Sequence, residues 1–310
     1  VLYYSQTGQL TSVVNSFTDP LLKSDEVEVV YQKVEPKTPY PFPWKNKIEF
    51  FDIFPESVYM DGCEIKDFEI SEDEEFDLVI LAYTIWFLSP SIPITGFLNS
   101  KYSKLLKDKP VITLIACRNM WIMAQEKLKK RLNELGATLI DNVVLIDQGS
   151  SMATFITTPR WMWTGKKDTF LGFPRAGISP DEITRASRFG YALKDALSSD
   201  LEKEKKSLLY GLEAVKIDEK TISVEKVGHR SFLIWGKLVR LFGTTGDKMR
   251  LPILGLYFLF LLTAIGTIVP ILMLVKPIIR AVNRKNVIKE REFFERPSGR
   301  GSERLKEYNE

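Results

Sequence analysis

The 310-residue chain holds two cysteines, Cys63 and Cys117, and one histidine, His229. The cysteines form no CxxC pair and have no metal-ligand spacing. That excludes a disulfide framework and a structural zinc site and points to a reducing compartment. A single histidine leaves little room for a Ser-His-Asp or Cys-His hydrolase, because His229 lies far from the N-terminal motifs in a basic stretch. It reads as a plain surface or interface residue. The formal net charge of +3 is too small to imply nucleic acid. No signal-peptide pattern precedes the first apolar residues, so a cytoplasmic body is expected.

What is present is an alternation of apolar strands with helical patterns. Val1 to Tyr4 is a strand, and Leu10, Val13, Val14, Phe17 and Leu21 follow at helical spacing. Further strands are predicted over Val27–Tyr31, Phe76–Tyr83, Pro110–Ala116 and Ala137–Asp147. Helices are predicted over Ile48–Tyr59, Ile92–Leu98, Met120–Leu135 and Ile183–Leu197, the last after the start signal Ser179-Pro180-Asp181-Glu182. The two central strands are apolar enough for burial on both faces of a parallel sheet. The expected class is a doubly wound α/β sheet of five parallel strands over residues 1–200, with long insertions at 35–75 and 148–178. In such sheets ligands bind beyond the carboxyl ends of the strands.

Three loops leave those ends. The first is Ser5-Gln6-Thr7-Gly8-Gln9-Leu10, where hydroxyls, a glycine and a helix N-terminus make a cradle for an anion. The second begins Thr84-Ile85-Trp86-Phe87, and the third is Cys117-Arg118-Asn119-Met120-Trp121. The alternative for the first loop is an ordinary strand-turn-helix, and for the aromatics it is core packing. The Ser-x-Thr-Gly-x-x-Thr spacing of residues 5–11 resembles the FMN-phosphate loop of flavodoxins. That resemblance implies FMN as cofactor, with Ser5, Gln6, Thr7, Gly8, Gln9 and Leu10 at its phosphate. Thr84, Ile85, Trp86, Phe87, Cys117, Arg118, Asn119 and Trp121 would then flank the flavin ring. Arg118, Asn119 and Tyr83 are the candidate catalytic groups: Arg118 by charge on the anionic reduced flavin or an enolate, with Tyr83, Asn119 or a carboxylate from the long insertion to take the proton.

Beyond residue 200 the pattern changes. Residues 201–230 read as a linker, and 231–280 as a membrane-associated segment. Within that segment 231–243 mixes aromatics with cations as an interfacial helix does, and Leu251 to Val275 runs without a charge. Cations flank the apolar run on both sides, so the positive-inside rule gives no orientation. Base rates favour a single span; a hairpin, helped by Pro252, Gly255, Gly266 and Pro270, stays open. The 281–310 tail is dense in charge and reads as solvated. The body is expected at the inner (cytoplasmic) membrane, facing the cytoplasm.

Several strings are more particular: YYSQTGQLT at 3–11, PYPFPW at 39–44, PESV at 55–58, WFLSPSIP at 86–93, CRNMW at 117–121 and TGKKD at 164–168. Together they resemble the family labelled dialkylresorcinol-condensing enzyme, of bacterial routes to dialkylresorcinol and flexirubin-type pigments. The resemblance covers about residues 1–200. It implies a lipophilic small-molecule substrate, a ketosynthase as pathway partner and membrane lipids as surroundings. The residues fit condensation poorly, because a thiolase-type enzyme needs an activated cysteine with histidine or asparagine partners. They fit a flavin-dependent aromatisation of an alkylated cyclohexanedione better. The alternatives are a membrane-bound NAD(P)H:quinone reductase, an electron carrier and a non-catalytic scaffold. Analogy with flavodoxin-like oxidoreductases adds a homo-oligomer as an expectation.

Overall fold

The computed structural model describes residues 1–267, 271 and 283–308. The remainder of the apolar run, with Pro270, lies outside the described residues.

In chain order the body consists of β1 (Leu2–Tyr3), α1 (Gln9–Leu22), β2 (Gln32–Lys33), α2 (Lys47–Asp52) and α3 (Phe54–Tyr59). It continues with β3 (Val79–Tyr83), β4 (Ile85–Trp86), β5 (Ser89–Pro90), α4 (Ile92–Leu98), β6 (Pro110–Cys117) and α5 (Ile122–Glu134). Then come β7 (Thr138–Ile146), α6 (Thr154–Thr164), α7 (Pro180–Arg185) and α8 (Ser187–Leu197). After these come α9 (Glu219–Arg240), α10 (Leu251–Gly266), α11 (Arg284–Glu295) and α12 (Leu305–Tyr308).

Five strands pair in the order β2-β1-β3-β6-β7, all parallel, which is the flavodoxin-like arrangement. The central strands β3 and β6 are buried almost throughout, as their unbroken apolar runs require. The second strand is shorter than expected and shifted: Leu2 and Tyr3 pair with Gln32 and Lys33, so the ladder lies beyond Val27–Tyr31. The helix expected over 183–197 is two helices that meet at Ala186. α1 and α8 pack closely because Gly190 has no side chain: a Cβ there would lie 2.0 Å from the Phe17 carbonyl oxygen.

The segments read as linker and solvated tail belong to this body. Leu208, Leu209, Leu212, Ala214, Val215 and Ile217 are buried in the main core, and so is Phe294. The cause is Asp141 in β7, which is fully buried. Its carboxylate accepts from Ser207 Oγ (2.6 Å), Leu208 N (2.6 Å), Leu209 N (3.2 Å) and Ser298 Oγ (2.6 Å). A buried carboxylate demands such donors, and it finds them in the stretches on either side of the apolar run. The expected interfacial helix is the C-terminal half of α9, which starts at Glu219 inside the presumed linker.

Among the described residues one helical stretch, 248–266 with mean hydropathy 1.8, is by length and composition apolar enough to cross a membrane. Its first turns dock on the body through Leu254 and Tyr257, with Tyr257 stacked on Phe54 at 4.4 Å.

Candidate functional site

β1 delivers the chain to a loop whose last residue, Gly8, sits at φ 80° and caps α1 with no side-chain hydrogen bond. Nothing lies within 4 Å of where a Gly8 Cβ would be, so the backbone is open to an approaching group. Ser5 Oγ accepts from Thr11 N at 3.3 Å and Thr7 Oγ1 from Gln9 N at 3.4 Å. These contacts are long, and both hydroxyl protons are left over to donate. The loop edges a cleft of about 520 Å³ lined by Thr7, Gly8, Gln9 and Ser12, with Lys167 and Arg175 among the residues opposite. Gln6 ties the loop to the proline-rich insertion by donating from Nε2 to Pro41 O at 2.8 Å. Helical periodicity turns the Leu10 side chain into the core, where it is 1% exposed, so only its backbone amide is left for a ligand.

The second loop is a hairpin, with Ile85 opposite Pro90 and Trp86 opposite Ser89. Its turn residues, Phe87 at φ 47° and Leu88 at φ 57°, occupy left-handed backbone that costs a non-glycine residue about 1–2 kcal/mol. The surroundings hold it there. Lys127 Nζ donates to Val58 O (2.5 Å) and Ser89 Oγ (2.7 Å), and Ser57 Oγ donates to Trp86 O (2.9 Å). Burial lowers the Lys127 ammonium to about 8. The turn sends its two aromatics apart. Trp86 meets Tyr40 (5.1 Å) and Tyr4 (5.9 Å) edge to face. Phe87 turns from the cleft and packs on Phe50 (4.9 Å), Phe54 (5.7 Å) and Phe232 (6.2 Å). The pair expected on one flavin face therefore serves two surfaces. Thr84 Oγ1 is buried with no hydrogen-bond partner, and Ile85 packs on the core.

In the third loop, burial raises the Cys117 thiol well above its ordinary value, so it is no nucleophile. Arg118 is held by α6: Nε donates to Thr154 Oγ1 (2.8 Å), Nη2 to Ser151 O (3.2 Å), and the guanidinium lies 4.1 Å from the Phe155 ring centre. Burial lowers it to about 10, so it stays cationic at neutral pH. Asn119 Nδ2 reaches Ser151 Oγ at 3.4 Å, while its Oδ1 is buried without a partner. Trp121 is a correction, being 4% exposed in the core. Tyr83 is another. It is wholly buried, and its hydroxyl donates to Gln125 Oε1 at 2.5 Å, so it meets no ligand.

Two acids near this loop escaped the sequence reading. Asp147 accepts from Gly149 N (2.7 Å) and Gly177 N (2.5 Å); burial raises it, those bonds and Arg118 oppose. Glu225 of α9 accepts from Met123 N (2.6 Å) at the start of α5, and burial pushes it up to about 8. His229, one turn on, is no plain surface residue. Its Nε2 is buried without a partner, and burial, then the Lys127 charge, lower it to about 4. Lys167 lies in the TGKKD string of residues 164–168, where nothing marked it as a phosphate cation; Arg175 carried no local signal.

Over the loops lie the two insertions, joined by Trp44 N donating to Met162 O at 2.8 Å and by Phe42 edge-on to Trp161 at 6.0 Å. No family model matches the chain, and no curated protein sequence matches it. The crystal structure of a "putative flavoprotein" from Bacteroides uniformis is similar to it over 52% of this chain and 94% of that one, at 16% identity and a TM-score of 0.37.

Proposed function

We propose that the chain is a membrane-associated, FMN-dependent oxidoreductase that dehydrogenates a lipid-soluble ring, an alkylated cyclohexanedione, to a resorcinol. One observation carries the reading: a continuous aromatic ladder joins the apolar helix to Trp86, which packs on Tyr4 at the start of the Ser5–Gln9 loop. It runs from Phe258 of α10 to Phe51 (5.2 Å), Phe50 (5.2 Å) and Trp44 (5.5 Å). It continues through Tyr40 (6.2 Å) to Trp86 (5.1 Å), beside the loop of Ser5–Gln9. A substrate with long alkyl chains moves from lipid along such a surface without exposing them to water.

The residues fit FMN. The open backbone at Gly8, the free hydroxyl protons of Ser5 and Thr7, the Leu10 amide in the first turn of α1 and the cations Lys167 and Arg175 suit a phosphate. Asn119 Oδ1 and Thr84 Oγ1, both buried and unpartnered, suit the polar edge of a flavin ring, and Trp86 offers an apolar one. When bound, FMN supplies the hydride acceptor. The chain does the rest. Arg118, fixed by α6, favours the enolate of an already acidic diketone. Asp147, behind it, holds the Gly149 and Gly177 amides and so shapes the cleft wall. The bridged insertions exclude water.

The test is an absorbance spectrum of detergent-purified protein with identification of any released chromophore. Anaerobic bleaching by a synthetic alkylated cyclohexane-1,3-dione follows. Stoichiometric FMN that bleaches supports the reading. A colourless protein that takes up no FMN overturns it, and so does bound FMN that the dione never reduces.

A further inference from the structure

The chain leaves its body at a built exit. The Arg250 side chain is fully buried, with Nε 3.2 Å from Asp52 Oδ1 and Nη1 3.1 Å from Glu56 Oε1. Asp52 Oδ2 also accepts from Gly246 N at 2.6 Å. From Leu256 on, α10 turns a mostly uncovered apolar surface outward: Leu256 is 52% exposed, Leu259 61% and Leu262 51%. Leu241 and Met249, just before the exit, are more than 70% exposed.

The return is equally built. From α11, Glu290 pairs with Lys226 at 2.7 Å and Arg291 with Glu219 at 2.8 Å, both on α9. Ser298 donates to Asp141 at the sheet, Val215 N donates to Gly299 O (3.2 Å), and Glu213 N donates to Gly301 O (2.7 Å). Both flanks of residues 251–282 are thus fastened to one folded body.

We propose that this face seats on a lipid bilayer and that residues 251–282 enter and leave it through the same surface, as a monotopic insertion. A single crossing would place 283–308 across the bilayer. That would strip Asp141 of a buried donor and pull Phe294, Glu295 and Ser298 out of their buried positions. Two full crossings need roughly 40 residues, more than 251–282 contains, so a spanning pair does not account for flanks on the same side. Charge agrees. Lys237 and Lys248 before the run and Arg284 and Lys285 after it are all exposed. One anionic headgroup layer accommodates them all, which accounts for two basic flanks where a spanning helix shows one. The inference rests on the membrane half of the proposed function and is independent of its flavin half.

Single cysteines at exposed positions on either side, K248C and N286C, test this in the full chain expressed in bacteria. A membrane-impermeant maleimide is applied to spheroplasts and to sealed inverted vesicles, with the parent protein measuring the background of Cys63 and Cys117. Labelling of both variants in inverted vesicles and of neither in spheroplasts is the expected result. Labelling of the two from opposite sides overturns the monotopic insertion and leaves the membrane reading intact. Release of the protein by alkaline carbonate overturns both, whatever flavin it carries.

Discussion

Thr7→Ala is the sharpest probe of the cleft. The hydroxyl it removes makes one protein contact, a 3.4 Å acceptance from Gln9 N. A bond that long in a half-exposed loop adds little to folding, so the loss in stability should stay below about 0.5 kcal/mol. Against a phosphate dianion the same hydroxyl donates a charge-assisted hydrogen bond, worth about 1.5–3 kcal/mol. At about 1.4 kcal/mol per decade the FMN dissociation constant should rise by about tenfold to about 150-fold. Quenching of flavin fluorescence on titration into apoprotein reads this directly. Riboflavin, which lacks the phosphate, is the control: its affinity should not change. An FMN affinity equal to the parent's, or equal losses for FMN and riboflavin, would refute the phosphate assignment.

Lys167→Ala with Arg175→Ala should weaken FMN more at low salt than at high salt, since both cations act across solvent; titrations at two ionic strengths check this. Arg250→Ala leaves Asp52 and Glu56 uncompensated and should cost about 3–5 kcal/mol in chemical unfolding, whereas changing all three residues to Met, Asn and Gln restores much of it. Glu225, pushed up to about 8, holds its proton in the folded protein but not in the unfolded chain. Its contribution is full below the ordinary carboxylate pKa and fades as pH rises to about 8. Raising pH from 6.5 to 8 should therefore lower the parent's Tm relative to that of Glu225→Gln; parallel curves would contradict the burial argument. Ser298→Ala removes a donor from Asp141 and the acceptor of Asn142 N (2.7 Å). It should cost about 1–3 kcal/mol and speed proteolysis of the C-terminal stretch.

The parallel sheet was legible because β3 and β6 are apolar runs that sit only in a two-sided core. The Ser5–Gln9 loop was legible because a strand, a glycine and a helix start leave few geometries. What escaped depends on partners distant in sequence. Tyr83 looked available because a strand's end does not reveal which face Gln125 occupies. Phe87 and Trp86 looked equivalent, yet consecutive left-handed residues split them between two surfaces. Residues 201–230 and the tail looked soluble because their charge density hides the few apolar side chains that Asp141 gathers beneath.

The Asp141 clasp bears on how this protein is made. Its core is closed by side chains on both sides of the greasy stretch, so the nascent body stays unfinished until residues beyond that stretch leave the ribosome. Completion of the sheet's outer layer thereby comes after the apolar stretch has been made. For the bench, a version without the apolar stretch cannot be had by stopping the gene before residue 251. The stretch has to be excised and bridged, so that Ser298 can still come home.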